Sequence, residues 1–146
     1  MTKTFRLIAV ATSLSATLAV AHDGVKDVDV LARMKAMEAI GIAAKELGDM
    51  ARGFIPFDPN RAHIVRDNIS LHAINMPILF AKFTTDPKSE AASTIWDNWD
   101  DFVIRSAELQ KSASALNFSD AGALSLSMRG LGAACSGCHK LYRIKN

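Results

Sequence analysis

Apolar residues recur in steps of three and four through most of this chain, and four stretches carry the pattern far enough to predict helices. The first, residues 26–52, sets Val30, Met34, Met37, Ile40, Ala44, Leu47 and Ala51 on one stripe. Gly53 stops it, and Pro56 lies beyond the end. The second opens with Asp58 as N-cap and Pro59 at the first helical position, then continues through Ile64, Ile69, Leu71, His72 and Ile74. Pro77 cannot donate the hydrogen bond that a helix interior requires, so regular helix is expected to end near Asn75. Ile78, Leu79, Phe80 and Phe83 would then form an apolar connection over one end of the molecule. The third stretch, residues 89–116, has an aromatic face built from Ile95, Trp96, Trp99 and Phe102. Its polar face carries Asp97, Asp100, Arg105 and Lys111. The fourth starts at Ser119 or Asp120 and reaches Tyr142 through Leu124, Met128, Leu131, Cys135 and His139. No alternating pattern long enough for a strand is present. Four long amphipathic helices with short connections predict an all-α, antiparallel four-helix bundle, a fold that holds cofactors between facing helices.

The first residues do not belong to that bundle. Lys3 and Arg6 precede an apolar run over residues 7–20, and Ala19-Val20-Ala21 offers small residues for cleavage. The run is shorter than the ~20 residues a membrane span needs. It reads as a secretory signal peptide over residues 1–21, leaving a mature domain of residues 22–146, with no membrane span and a periplasmic location. Losing Lys3 and Arg6 from 17 basic residues leaves 15, against 15 acidic ones. The mature chain is therefore formally neutral, and it has no Lys/Arg cluster to bind nucleic acid.

The chemistry sits near the end, in Cys135-Ser136-Gly137-Cys138-His139. This order is the one used for covalent attachment of a c-type haem, and it uses both cysteines of the chain. Positions three and four apart share a helix face, so both thiols and the imidazole would point the same way. Each thiol can join one vinyl group, and His139 can bind the iron. A thioredoxin-like dithiol would need its first cysteine at a helix N-terminus, whereas this motif lies late in a helix. A zinc site would need a fourth donor, and His22, His63 and His72 lack a paired spacing. Nothing in the chain arranges a nucleophile and base as an enzyme would.

The group on the other side of the iron decides between electron transfer and gas binding. The candidates are Met34, Met37, Met50, Met76, Met128, His63 and His72. Met128 lies eleven residues before His139 on the same helix and cannot reach round a porphyrin. Met76 adjoins the proline, Met50 is at the far end of the first helix, and His63 and His72 point to opposite sides of theirs. Met34 and Met37 remain, with a place in the core as the alternative for each.

The mature sequence resembles the cytochrome c′ family, the class II c-type cytochromes, over nearly all its length. The resemblance rests on the run from Cys135 to His139 followed by Tyr142 and Arg143, on Ile95-Trp96, on Ile55-Pro56-Phe57-Asp58, and on Arg33 with Met37 four residues later. Its late haem motif distinguishes this class from ordinary cytochromes c. The resemblance implies one covalent haem c, Met37 over the distal face as an axial ligand, and Arg33 beside the propionates, for which a guanidinium fork is suited. It further implies that Arg143 lies on the proximal side, with a cation at the helix C-terminus as the alternative. Trp96, Trp99 and Phe102 would pack on the porphyrin, with a place in the core as the commoner alternative for such a stripe. A distal methionine on iron marks the family's low-spin electron carriers, which exchange electrons with other redox proteins. A non-ligating residue there marks the high-spin members that bind nitric oxide or carbon monoxide. Family members often form homodimers through helices of the first half, a face the sequence does not locate.

Overall fold

The structure is a computed structural model that describes residues 24–144. The expected signal peptide and its cleavage site lie outside the described residues. Four long helices, α1 (Val28–Ala51), α2 (Pro59–Phe80), α4 (Trp99–Ser114) and α5 (Ala121–Tyr142), are joined by a single short turn of helix, α3 (Thr94–Asp97), before α4. Among the described residues there is no strand, only one isolated antiparallel bridge between Ala91 and Arg143.

Side-chain oxygens start three of the long helices, two of them, at Asp58 and Asp120, where the sequence placed the caps. Asp27 accepts from the backbone N–H groups of Asp29 and Val30, Asp58 from Arg61, and Asp120 from Ala123. Each cap satisfies donors that the first turn leaves without partners, typically worth about 1 kcal/mol. α1 ends at Ala51 with Arg52 as its C-cap, after which Gly53 takes a positive φ of 74° and turns the chain toward α2.

Contacts across the bundle give its direction. The start of α1 meets the end of α2 through Asp29 and Lys82, α2 meets α4 through Phe80 and Phe102, and α4 meets α5 through Asp101 and Tyr142. Each pair joins one helix's beginning to the other's end, so neighbours run antiparallel in the ring α1–α2–α4–α5. Leu47, Ile69, Ile95, Leu124 and Leu131, from α1, α2, α3 and α5, are among the most buried large side chains, and Phe102 and Leu109 bring α4 into the same core.

Three expectations are corrected. Helix α2 does not stop before Pro77; it continues to Phe80. The carbonyl that Pro77 would have used, that of Ala73, accepts instead from the Ser106 hydroxyl of α4 at 2.5 Å. The inward face of α2 is Ala62, Val65, Ile69, Ala73, Met76 and Phe80, whereas Ile64, Leu71 and Ile74 are exposed. The third stretch is not helical from Ser89. Residues 89–93 run beside the end of α5, with Ala92 N–H donating to Tyr142 O and Ile144 N–H to Glu90 O, and helix begins only at Thr94.

Candidate functional site

Helices α1 and α5 touch each other least among neighbours in the ring, because a cavity of about 570 Å³ lies between them. That volume falls within the ~300–1,000 Å³ range of small-molecule and cofactor sites. The α1 wall presents Val30, Met34, Met37, Ile40, Gly41 and Ala44. The α5 wall presents Ala134, Cys135, Cys138 and His139. Phe80, Phe102 and Leu109 close the inner side, and residues 89–91 close one end. The lining is mostly apolar.

Cys135, Cys138 and His139 are thus brought to one wall, as their spacing on a single helix requires. Both thiols are half-buried and free. Burial pushes both up, Cys138 to about 11. A redox dithiol needs the reverse, a thiolate stabilised by a helix N-terminus. Both cysteines lie in the last third of α5, so the dithiol alternative finds no support in the geometry. His139 is held below its ordinary value, first by burial and then by the cation of Arg143. A neutral imidazole is the form that binds a metal. Among the described residues no three His, Cys, Asp or Glu side chains converge as a metal-ion site; His22, a candidate donor for the zinc alternative, lies outside the described residues. Two free thiols and an imidazole with a lowered pKa on one wall of an apolar cavity fit a covalently held haem.

Of the candidate distal ligands, Met34, Met37 and Met76 line the cavity. The other four do not. Met50 is buried in the core, and Met128 packs against it. His63 stands edge-on to Phe118 with centroids 4.6 Å apart, and His72 borders a shallow groove between α1 and α2 with Ala32 and Ile78. Met37 is on the α1 wall, across from the wall that carries His139. Met76 reaches the cavity because α2 continues past the point where it was expected to break.

Arg33 borders the cavity and is 3% exposed. Its Nε donates to Leu79 O at 2.9 Å, Nη1 to Thr84 O at 3.1 Å and Nη2 to Lys82 O. The guanidinium also lies over the rings of Phe80 and Trp96, at 5.0 and 5.2 Å. Burial lowers its pKa, with Asp29 and Asp27 acting in the opposite sense, yet a guanidinium stays charged in proteins. Arg33 therefore fastens the end of α2 and the following loop, a task the sequence did not foretell. Three of its five N–H donors are engaged in this way.

Of the three aromatic residues expected beside the cofactor, Phe102 lines the cavity. Trp96 instead donates from its indole N–H to Phe80 O at 2.7 Å and packs behind Arg33, and Trp99 stacks on Phe102. Arg143 lines the cavity and is paired with Glu90 at 2.6 Å. Sequence reasoning missed Arg105, which it placed on the solvent face of its helix. Arg105 lines the cavity with Cys138. The signal was available in the spacing, since Arg105 is three residues after Phe102 and four before Leu109, both inward.

Comparison with known proteins agrees with this geometry. Residues 29–143 match the family model for cytochrome c′. The chain is 33% identical over 112 residues to cytochrome c-556 of Agrobacterium fabrum, covering 75% of this chain and 76% of that protein. It is 33% identical over 108 residues to cytochrome c-554 of Cereibacter sphaeroides, covering 69% and 81%. Among solved structures it resembles cytochrome c′ from Rhodobacter Spheriodes, with a TM-score of 0.71 and 25% identity over 81% of this chain and 96% of that one. With an apolar cavity sized for a cofactor and a match that spans nearly the whole bundle, the chain belongs to the cytochrome c′ family and binds one covalent haem c.

Proposed function

We propose that this protein is a periplasmic one-electron carrier whose haem is joined to Cys135 and Cys138 and ligated by His139 and Met37. Bound haem supplies the one-electron couple, while the protein supplies attachment, ligands and an apolar shell. The observation that supports the reading is that Met37 of α1 and His139 of α5 line the same cavity, and the family resemblance selects Met37 over its neighbour Met34. A thioether there would favour the reduced metal and keep small gases from it. Relatives named cytochrome c-556 and c-554 support the same branch. Arg33 retains two N–H donors beside the cavity and is assigned to a propionate. No helix among the described residues is long and apolar enough to cross a membrane, and export would rest on the leader in residues 1–21.

Its partners are other redox proteins, and its own second copy is assigned to the outer face of α2. Ile64, Leu71, Ile74 and Ile78 form an exposed stripe there, from 52 to 73% exposed. A run of large aliphatic side chains on one helix face marks an association surface.

The visible absorption spectrum of the purified, matured protein tests the functional reading. A low-spin spectrum with a methionine–iron charge-transfer band is expected. A high-spin spectrum overturns the carrier role and assigns the gas-binding one, and a mass without covalent haem overturns both.

A further inference from the structure

A cluster of charges stands at the α4–α5 side of the cavity, outside the ligands already assigned. Arg105 donates from Nε and Nη2 to the two carboxylate oxygens of Asp101, at 3.3 and 3.4 Å, and from Nη1 to Glu108 at 3.2 Å. Asp101 also accepts from the Tyr142 hydroxyl at 2.7 Å. Tyr142 is 6% exposed, borders the cavity, and sits three residues after His139 on α5. Arg105 itself is one-third exposed and borders the same cavity as Cys138. The guanidinium is thus fixed from both sides, by carboxylates on its own helix and, through Asp101, by the helix that carries the attachment motif.

We propose that Arg105 is a positioning cation that sets the reduction potential of the haem, with Asp101 as its opposing charge. This rests on the carrier reading only in assuming that a haem is bound. When a one-electron donor protein reduces the iron from ferric to ferrous, the cavity gains one negative charge and no bond or proton need move. A cation at the wall favours the state with the extra electron, and an anion disfavours it. Arg105 draws the potential up; Asp101 and Glu108 draw it down. Their contact also keeps the arginine from swinging into water, where its effect would be screened. Tyr142 adds the restraint that the pair cannot drift along α4, because its hydroxyl holds Asp101 to the end of α5.

Equilibrium redox titration of the haem-loaded protein and its variants decides the matter. Arg105→Gln should lower the midpoint potential and Asp101→Asn should raise it, while Arg105→Lys stays near the unaltered protein. The double variant Arg105→Gln with Asp101→Asn should fall between the two singles. A role in packing alone would move both singles in one direction. Equal signs, or no shift in either, would overturn the proposal. If Arg105→Gln takes up no haem, Asp101→Asn still decides, since an unchanged or lowered potential overturns it. The spectrum keeps the readings apart: a high-spin protein refutes the carrier role and leaves the shifts measurable, whereas unshifted potentials in a low-spin protein refute only the tuning.

Discussion

The hydroxyl of Ser106 donates to the carbonyl of Ala73 and stands where the missing N–H of Pro77 would have been. Ser106 is 4% exposed, so the bond is shielded from bulk solvent. This one bond carries α2 through its proline and brings Met76 and Phe80 to the cavity. Ser106→Ala should cost about 1–3 kcal/mol, the usual penalty for a buried acceptor left without a donor. Pro77→Ala in that background restores an N–H and should recover part of the loss. Chemical denaturation of the two single variants and the double checks this, with non-additive changes as the expected result.

Met37→Ala removes the thioether proposed for the iron. The variant should become high-spin and bind carbon monoxide readily, a property that absorption with and without the gas reports. A variant that stays low-spin would show that another group, with Met34 and Met76 the nearest alternatives in the lining, occupies the position.

The exposed stripe on α2 makes a prediction about assembly. Ile78 is 73% exposed and Leu71 57%, so a lysine at either costs little in the isolated chain. In a dimer built on this face the same lysine must be desolvated without a partner. Sedimentation should show a dimer for the unaltered protein and a monomer for Ile78→Lys, with the helical content and thermal midpoint of the monomer preserved.

Asp86 clips the loop after α2 to the start of α1, accepting from the backbone N–H groups of Lys26, Asp27 and Lys88. Those donors, Lys88 first and Lys26 next, hold its carboxyl below the usual aspartate range. A depressed folded-state pKa means that the contribution is complete above the unfolded value of ~3.9 and fades as the pH falls through the folded one. Asp86→Ala should therefore be the less stable protein at neutral pH. The difference should shrink with acidification below about pH 4, as measured by denaturation midpoints across that range.

Much of this architecture could be read from the chain because it is written locally. Asp58-Pro59 and Asp120 mark helix starts by chemistry that involves only the next few residues. Cys135, Cys138 and His139 share a wall because one helix carries all three. The misreadings have a common cause in partners distant along the chain. Pro77 was read as a terminus because Ser106, the residue that relieves it, lies 29 positions on in another helix. The start of the third helix was set too early because residues 89–93 pair with the tail after α5. Ile64, Leu71 and Ile74 continue the helical pattern yet are exposed, because hydrophobicity alone does not separate a buried face from an exposed one. The task of Arg33 in fastening the end of α2 was likewise not legible, because its three backbone acceptors at residues 79, 82 and 84 have no sequence signature at all.

The pairing of Ala92 with Tyr142 and of Glu90 with Ile144 also bears on biogenesis. A polypeptide is made and exported from its amino terminus, and its early helices can associate before the remainder emerges. Here the final two dozen residues hold the haem-bearing wall and also the stitches that secure it to the middle of the chain. The pigment's berth is consequently closed by the last of the four long helices, and breaking the stitches at residues 142–144 should loosen that wall around its prosthetic group.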